Sequence, residues 1–221
     1  MKVETIDLFT PSGERLAVDR DRIPWDVYPR PQLRRDSYLC LNGWWDYTTT
    51  SAPKKIPDRF DRKIRVPYCP ESLLSGINEV SKKNWRVYRR NFALPAGFQK
   101  DRVLLHIGAV DQTAEVYVNG TLVGEHKGGY DPFSFDITPY LKKSGKQTLK
   151  VKVMDATDNG FQPRGKQCII NSSIWYTPVS GIWQTVWMEP VDKTHITEYY
   201  PVSNLAKSLL TIDVKTANAY S

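Results

Sequence analysis

From Leu149 to Val153 the chain alternates cleanly: Leu149, Val151 and Val153 are apolar, and Lys150 and Lys152 between them are charged. A period of two marks a strand with one face on a core and the other toward water. The same period governs Val103, Leu105 and Ile107, which enclose Leu104 and His106, and Val116 and Val118, which enclose Tyr117. The last of these runs meets Asn119-Gly120 and resumes at once with Leu122 and Val123. Both positions of a two-residue hairpin turn need positive φ, so alternation, Asn-Gly and renewed alternation predict a hairpin. Farther on, Ile182, Val186 and Met188 fall on one face of a single predicted strand, with Trp183 and Trp187 on the other.

Turn chemistry separates these runs at Pro95-Ala96-Gly97, Gly128-Gly129, Ser144-Gly145 and Asn159-Gly160. Many short strands broken in this way predict an all-β chain, a sandwich or a barrel. Helix is scarce, and neither an internal repeat nor a low-complexity tract is present. Residues 1–35 are polar and carry Pro11, Pro24, Pro29 and Pro31, which predicts an extended arm wrapped on the domain. Residues 53–84 read as a long loop with little periodicity, and a loop of that length points to function or to a packing partner. Near Pro190 the character changes. The tail, 191–221, predicts two strands, with Leu210, Ile212 and Val214 alternating in the second. Two strands alone are marginal in water, so the tail is expected to pack on the main domain or to begin another one. Its edges could also pair two copies through residues 195–215.

Composition narrows the class. The 221 residues are 40% hydrophobic and 12% aromatic, which suits a folded β domain with or without part of a second. No apolar run approaches the roughly 18 residues of a membrane helix, so no membrane partner is expected. The start, MKVETIDLF, holds no apolar leader segment. It suits a cytoplasmic chain, or a periplasmic or extracellular one whose leader has been removed. Cys40, Cys69 and Cys168 are too scattered for a zinc site and read as small buried hydrophobes, with at least one free thiol. His106, His126 and His195 lack metal-ligand spacing and read as structural or surface groups. Asn119-Gly120-Thr121 and Asn171-Ser172-Ser173 fit a glycosylation pattern too short to carry weight. The net charge of +7 is concentrated between Lys54 and Arg90, where eleven Lys and Arg face four acids. Interleaved with Phe60, Tyr68, Trp85 and Tyr88, that stripe suits a solvated strand face, an acidic polysaccharide or a nucleic-acid backbone.

Motifs of chemistry are few. The sequence has no Gly-x-Ser-x-Gly elbow, no Gly-x-Gly-x-x-Gly and no phosphate-binding loop, so neither serine-hydrolase nor nucleotide chemistry is indicated, and no cofactor is expected. Glycoside hydrolysis needs two carboxyl groups about 5–5.5 Å apart in a retaining enzyme, and no pattern places such a pair. The richest binding segment is Asp155–Tyr176, a turn-rich connection holding Asp155, Asp158, Asn159, Gln162, Arg164, Lys166, Gln167, Trp175 and Tyr176. Sugars are held by aromatic rings on their C–H faces and by planar polar groups on their hydroxyls, and this segment has both. The bland alternative is a core Trp175 beneath solvated charges.

Several ordered motifs carry a resemblance. They are Leu41-Asn42-Gly43-Trp44-Trp45, Val66-Pro67-Tyr68-Cys69-Pro70-Glu71-Ser72, and the aromatic and arginine run from Trp85 to Phe92. Val116-Tyr117-Val118-Asn119-Gly120, Gly128-Gly129-Tyr130, Phe135-Asp136-Ile137-Thr138 and Ser180-Gly181-Ile182-Trp183 follow in order. As a set, spanning roughly Pro31 to Pro190, they resemble the N-terminal sugar-binding domain of family 2 glycoside hydrolases, the β-galactosidase and β-glucuronidase group. The resemblance implies a jelly-roll sandwich of the galactose-binding-domain type over residues 36–190. It implies that 191–221 opens an immunoglobulin-like domain, and that a (β/α)8 barrel with both catalytic glutamates follows in the full enzyme. In the family the acid/base lies in an Asn-Glu pair ending an apolar barrel strand. The only such pair here, Asn78-Glu79, sits in a polar loop, so the role is not carried over.

By position the resemblance assigns sugar contact to Arg164, Lys166, Gln167 and Trp175, to which the composition of the loop adds Asp158 and Tyr176. Many relatives have Arg where this chain has Gln184, which leaves the preference between galactoside and glucuronide open. The reading is thus a non-catalytic sugar-binding and scaffold domain, with carbohydrate and the neighbouring domains as partners. A free-standing carbohydrate-binding module is one alternative. A nucleic-acid-binding β protein relying on Arg86, Arg89 and Arg90 is the other.

Overall fold

The computed structural model describes residues 9–51 and 56–218. Its first strands are β1 (Leu39–Cys40), β2 (Gly43–Thr50), β3 (Arg62–Val66) and β4 (Trp85–Phe92). Next come β5 (Arg102–Ile107), β6 (Val110–Asp111), β7 (Thr113–Val118), β8 (Thr121–Lys127) and β9 (Phe133–Asp136). The last are β10 (Gln147–Met154), β11 (Gly181–Ile182), β12 (Val186–Val191), β13 (His195–Asn204) and β14 (Leu209–Ala217). Two antiparallel sheets form the jelly-roll sandwich, one ordered β3-β2-β4-β10-β7-β8 and the other β1-β12-β5-β9.

The alternation seen in the sequence sets the core. In β10, Val151 lies between Tyr88 of β4 and Val116 of β7, and all three side chains are fully buried. Val103, Leu105 and Ile107 of β5 and Val186 and Met188 of β12 face them from the second sheet. Each fully buried aliphatic chain is worth about 1.5–3 kcal/mol over its exposed state. The hairpin between β7 and β8 turns at Asn119 (φ 51°) and Gly120 (φ 90°), as its sequence predicts.

Three segments depart from the sequence reading. The arm is not extended throughout: Pro11–Val18 forms a helix, α1, capped by Thr10, whose hydroxyl accepts from Gly13 N at 3.1 Å. Thr-Pro at a helix start supplies both a cap and a preset φ, a short-range signal that a two-turn helix makes faint. Residues 1–8 of the arm lie outside the described residues. Within 53–84, of which 53–55 also lie outside them, β3 joins the large sheet beside β2, with Ile64 and Val66 fully buried. Finally, the predicted strand holding Ile182, Trp183, Val186, Trp187 and Met188 is two strands in different sheets. β11 pairs with β6 and β12 with β5, and Trp183–Thr185 bridge them. Gly181 lies where the chain enters β11. Its φ is +73°, and a Cβ there would stand 2.0 Å from the Tyr88 hydroxyl.

The rest of the arm is fixed by charge. Arg65, nearly buried, donates to the carbonyls of Leu16 (2.5 Å), Asp19 (2.8 Å) and Arg22 (2.6 Å). Glu189, at 0% exposure on β12, accepts from the Tyr28 hydroxyl at 2.6 Å and from Arg30 at 2.5 Å. Arg35 Nε lies 3.2 Å from the same carboxylate, and His106 Nε2 lies 3.3 Å from it. Burial by itself would raise the Glu189 pKa. His106, Tyr28 and the Arg30 charge outweigh it and bring it down to about 2. Beyond Val191 the tail forms the β13–β14 hairpin, with Leu210, Ile212 and Val214 exposed. It touches the sandwich through Arg35, which donates to Ile196 O at 2.7 Å, and Lys193 N, which donates to Asp101 at 2.8 Å.

Candidate functional site

After Met154 the chain leaves the large sheet and returns to regular pairing only at Gly181, apart from one bridge between Gln167 and Tyr176. This long connection is ordered by its own polar groups, since backbone donors away from water must find partners. Buried Asp155 accepts from Thr157 N at 2.6 Å and from Gln162 Nε2 at 2.8 Å. Asp158 accepts from Cys168 Sγ at 3.0 Å and Ile169 N at 2.9 Å, and these two bonds hold its carboxyl below its ordinary pKa. Arg164 donates to Asp158 O at 2.9 Å while its guanidinium lies 5.0 Å from the Trp175 ring centre. Arg164-Gly165-Lys166-Gln167 is a tight turn: Gln167 N donates to Arg164 O at 3.2 Å, and Gly165 takes φ +59° at the second position. A turn of that hand favours glycine there. Tyr176 N donates to Lys166 O at 2.8 Å, which ties the turn to the strand-like stretch after Trp175.

The turn borders a pocket of about 270 Å³. Tyr130, Tyr176 and Trp183 form its aromatic walls, Arg164 and Lys166 its cationic rim, and Asp111 and Gln167 its polar floor. Gln167 Nε2 donates to Asp111 Oδ2 at 3.1 Å, and Gln167 Oε1 accepts from Val179 N at 2.5 Å. Asp111 is 4% exposed and its Oδ1 has no hydrogen-bond partner. Burial and the charge of Asp155 push its pKa up to about 6, against the opposing pull of Gln167 and Arg86. Trp183 is held by its indole N–H, which donates to Gly129 O at 2.8 Å, and the Tyr130 ring meets it edge-on at 6.4 Å.

A buried ionic bolt lies behind the floor. Arg86, 1% exposed, has Nη2 3.9 Å from Glu71 Oε1 and donates through Nη1 to Asp155 O at 3.4 Å. Glu71 accepts from both the amide (3.1 Å) and the hydroxyl of Ser180, and burial raises its pKa. The Pro70-Glu71-Ser72 and Ser180-Gly181 motifs, 109 residues apart, are thus two halves of one joint.

Of the residues singled out from sequence, Arg164, Lys166, Gln167 and Tyr176 line this pocket together. Asp158 and Trp175 are not among its lining residues: Asp158 ties the loop and Trp175 packs under the Arg164 guanidinium. Asp111, Tyr130 and Trp183 are lining residues that the sequence reading did not select. Asp111 carries little signal, because it follows Ala109-Val110 but stands in a polar triplet with Gln112 and Thr113. Trp183 was placed on a strand face because the break after Ile182 leaves no mark on the alternation.

A larger groove of about 850 Å³ runs between the arm and the small sheet, past Trp25, Pro29, Phe133 and Trp187, and shares Trp183 with the pocket. Of its polar lining, Tyr28, Arg30 and His106 already converge on Glu189. The three arginines that a nucleic-acid site would use are committed to the protein. Arg86 is buried, Arg89 is paired with Asp46 at 2.7 Å, and Arg90 donates to Trp44 O at 2.5 Å. The cysteines are half-buried and free, and burial pushes the Cys69 thiol up to about 12. Among the described residues no group of three or more His, Cys, Asp or Glu could hold a metal, and no helix is long and apolar enough to cross a membrane.

Comparison with known proteins adds the following. A family model described as glycosyl hydrolase 2 galactose-binding domain-like matches residues 59–176. A β-galactosidase of Thermoanaerobacter pseudethanolicus is 35% identical over 134 residues, 60% of this chain and 17% of that protein. A β-glucuronidase of Paenibacillus borealis is 45% identical over 149 residues, 63% of this chain and 24% of that protein. The chain therefore spans about a quarter or less of the length of these relatives. A β-glucuronidase from Ruminococcus gnavus, solved with a C6-substituted uronic isofagomine, superposes with a TM-score of 0.68 at 20% identity. That superposition covers 88% of this chain and 36% of the other, and at such identity the likeness is one of fold.

Proposed function

The chain belongs to the glycosyl hydrolase 2 galactose-binding-domain-like family, and from that premise we propose that it is a non-catalytic sugar-recognition domain of a larger glycoside hydrolase. Its 155–183 connection forms one wall of a sugar site beside a catalytic barrel in the same polypeptide. Residues 191–221 open an intervening immunoglobulin-like domain, whose first hairpin is β13–β14. The observation that carries this reading is the pocket itself, with aromatic walls at Tyr130, Tyr176 and Trp183 over an amide–carboxylate floor at Gln167 and Asp111. That combination suits the apolar face and the hydroxyl edge of a pyranose.

The same geometry argues against hydrolysis by this chain. A glycosidase needs two carboxyl groups at the scissile bond. Asp111 is the only acid in the pocket lining, and nearby Asp155 is buried and engaged with Thr157 and Gln162. Because the pocket is made wholly from this chain, a carbohydrate-binding module acting unaided is the second reading. The test has two parts. With chromogenic β-galactosides and β-glucuronides the chain gives background turnover, and specific turnover abolished by Asp111→Asn would overturn the non-catalytic assignment. In NMR titrations with glycosides of either class, saturable amide shifts gather at Tyr130, Arg164–Gln167, Tyr176 and Trp183. Shifts confined to other residues would remove the pocket from the reading.

A further inference from the structure

Asn-Gly occurs three times in the chain, at Asn42-Gly43, Asn119-Gly120 and Asn159-Gly160. The pair has a chemistry of its own. Glycine has no Cβ to shield its backbone nitrogen, which can therefore approach the side-chain carbonyl carbon of the preceding asparagine. Two of the three pairs are locked against that approach. Asn42, fully buried, donates to Pro24 O at 3.0 Å and Thr185 Oγ1 at 3.3 Å and accepts from Val186 N at 3.0 Å. Asn119 donates to Tyr140 O at 2.8 Å and Gln147 Oε1 at 2.7 Å and accepts from Thr148 N at 3.0 Å. Asn159 is held far less. Both it and Gly160 are exposed, and its Nδ2 reaches Ala156 O only at 3.5 Å and Asp158 Oδ1 only at 3.4 Å. Such distances are at the limit of a hydrogen bond. Gly160 takes φ +90°, and among the described residues its N–H has no backbone acceptor.

We infer that Asn159 is a site of self-modification, at which the folded chain turns a side-chain amide into a carboxylate. A base from solvent takes the Gly160 N–H proton, and the nitrogen attacks Asn159 Cγ to close a cyclic imide. The Cγ–Nδ2 bond breaks and ammonia leaves with the proton. Water then opens the ring at either carbonyl, leaving aspartate or isoaspartate, and nothing is oxidised or reduced. The new carboxylate stands where Nδ2 faced Asp158 Oδ1, so a weak attraction becomes a repulsion between like charges. Asp158 ties the 155–176 connection through its bonds from Cys168 and Ile169. The isoaspartate form also adds a methylene to the backbone inside the clasp that Gln162 makes on Asp155. The modification therefore slackens the connection next to the residue whose carbonyl holds Arg164. This chemistry does not depend on what the pocket binds.

The experiment holds the folded 221-residue chain at mildly alkaline pH and follows amide loss by mass spectrometry of tryptic peptides. Cleavage after Lys and Arg places Asn42 in residues 36–54, Asn119 in 103–127 and Asn159 in 153–164, so each pair is read separately. Giving up three hydrogen bonds slows each locked pair by about a hundredfold, so Asn159 reacts at least about tenfold faster than either. In guanidinium, where no fold protects any of them, the three rates come within about threefold. Equal rates in the folded chain, or reaction at Asn159 only after unfolding, would overturn the assignment. Asn159→Gln, whose longer side chain closes a ring far more slowly, removes the acidic species that ion exchange resolves. Persistence of that species at the same rate overturns the assignment as well. Asn159→Asp, at an exposed site where folding is unaffected, reproduces the charge change, and amide exchange at Ile169 accelerates by at least about threefold. Unchanged exchange at Ile169 would overturn the slackened tie and leave the modification standing.

Discussion

Replacing Glu189 with glutamine removes the charge on which the arm and the small sheet converge. In the folded chain its pKa is about 2, against an ordinary 4.5. At about 1.4 kcal/mol per pH unit, that depression corresponds to about 3 kcal/mol of stability at neutral pH. Glutamine keeps an acceptor for the Tyr28 hydroxyl, and Arg30 and Arg35 are partly exposed, so neither is left as a stranded charge. The expected loss is therefore about 2–3 kcal/mol at about pH 7, at the lower edge of what breaking a buried pair costs. Because the folded pKa lies below the unfolded one, this stabilisation is complete above about 4.5 and disappears as the pH falls toward 2. His106, whose pKa burial lowers from 6.5, adds a loss that begins at higher pH. Its contribution is present above about 6.5 and declines below it, more steeply in the variant, because Glu189 raises the His106 pKa against burial. The gap near neutral pH therefore reports the carboxylate, and at lower pH it also carries the lost contact with His106. Urea unfolding followed by tryptophan fluorescence reports it directly, since Trp187 stacks on His106 at 4.1 Å. A gap of the same size at about pH 3 as at about pH 7 would refute the assignment, as would a gap below about 0.5 kcal/mol at neutral pH.

Two further outcomes concern the frame of the site. Gly181→Ala forces an L-residue into φ +73° and a methyl group onto the buried Tyr88 hydroxyl. It should destabilise the fold by about 2–4 kcal/mol in the same unfolding assay, and a loss under about 1 kcal/mol would mean the bend at β11 relaxes freely. Deleting residues 194–221 removes a hairpin whose described hydrogen bond to the sandwich is that of Ile196 O with Arg35, and the melting temperature of the remainder should move by less than about 3 °C. A larger drop would show that β13–β14 completes the sandwich and does not begin a separate unit.

The sheets were legible because their inward positions are apolar and their outward ones are not. Leu149, Val151 and Val153 needed nothing else. The Asn119-Gly120 hairpin was legible for a different reason, a local steric demand that few residues satisfy. What escaped were features fixed by tertiary partners. β3 carries Arg62, Lys63 and Arg65 among its five residues, so its pattern is polar, and only pairing with β2 makes it a strand. The break between β11 and β12 is invisible because both pieces are apolar and nothing local marks Trp183–Thr185 as their junction. In the site, Arg164, Lys166, Gln167 and Tyr176 were accessible from composition and from the family resemblance. Asp111 comes from a different sheet region and joins them through Gln167, a contact across 56 residues that no local spacing encodes.

The joint between Glu71 and Ser180 has a consequence for the time course of the site. A connection of this length usually frays before the strands it joins, opening and closing as a low-stability unit. Here Asp155 at its start is held by Arg86, Ser180 at its end by Glu71, and Gln162 between them by Asp155, with Arg86, Glu71 and Asp155 all buried. To release Ser180 the chain must expose a carboxylate and a guanidinium that face no water in the folded state. The connection therefore belongs to the same cooperative block as the core, and the pocket wall persists for as long as the sandwich does. A sugar bound there, as proposed, would meet a surface already assembled, with Lys166 and Tyr176 exposed at its edge.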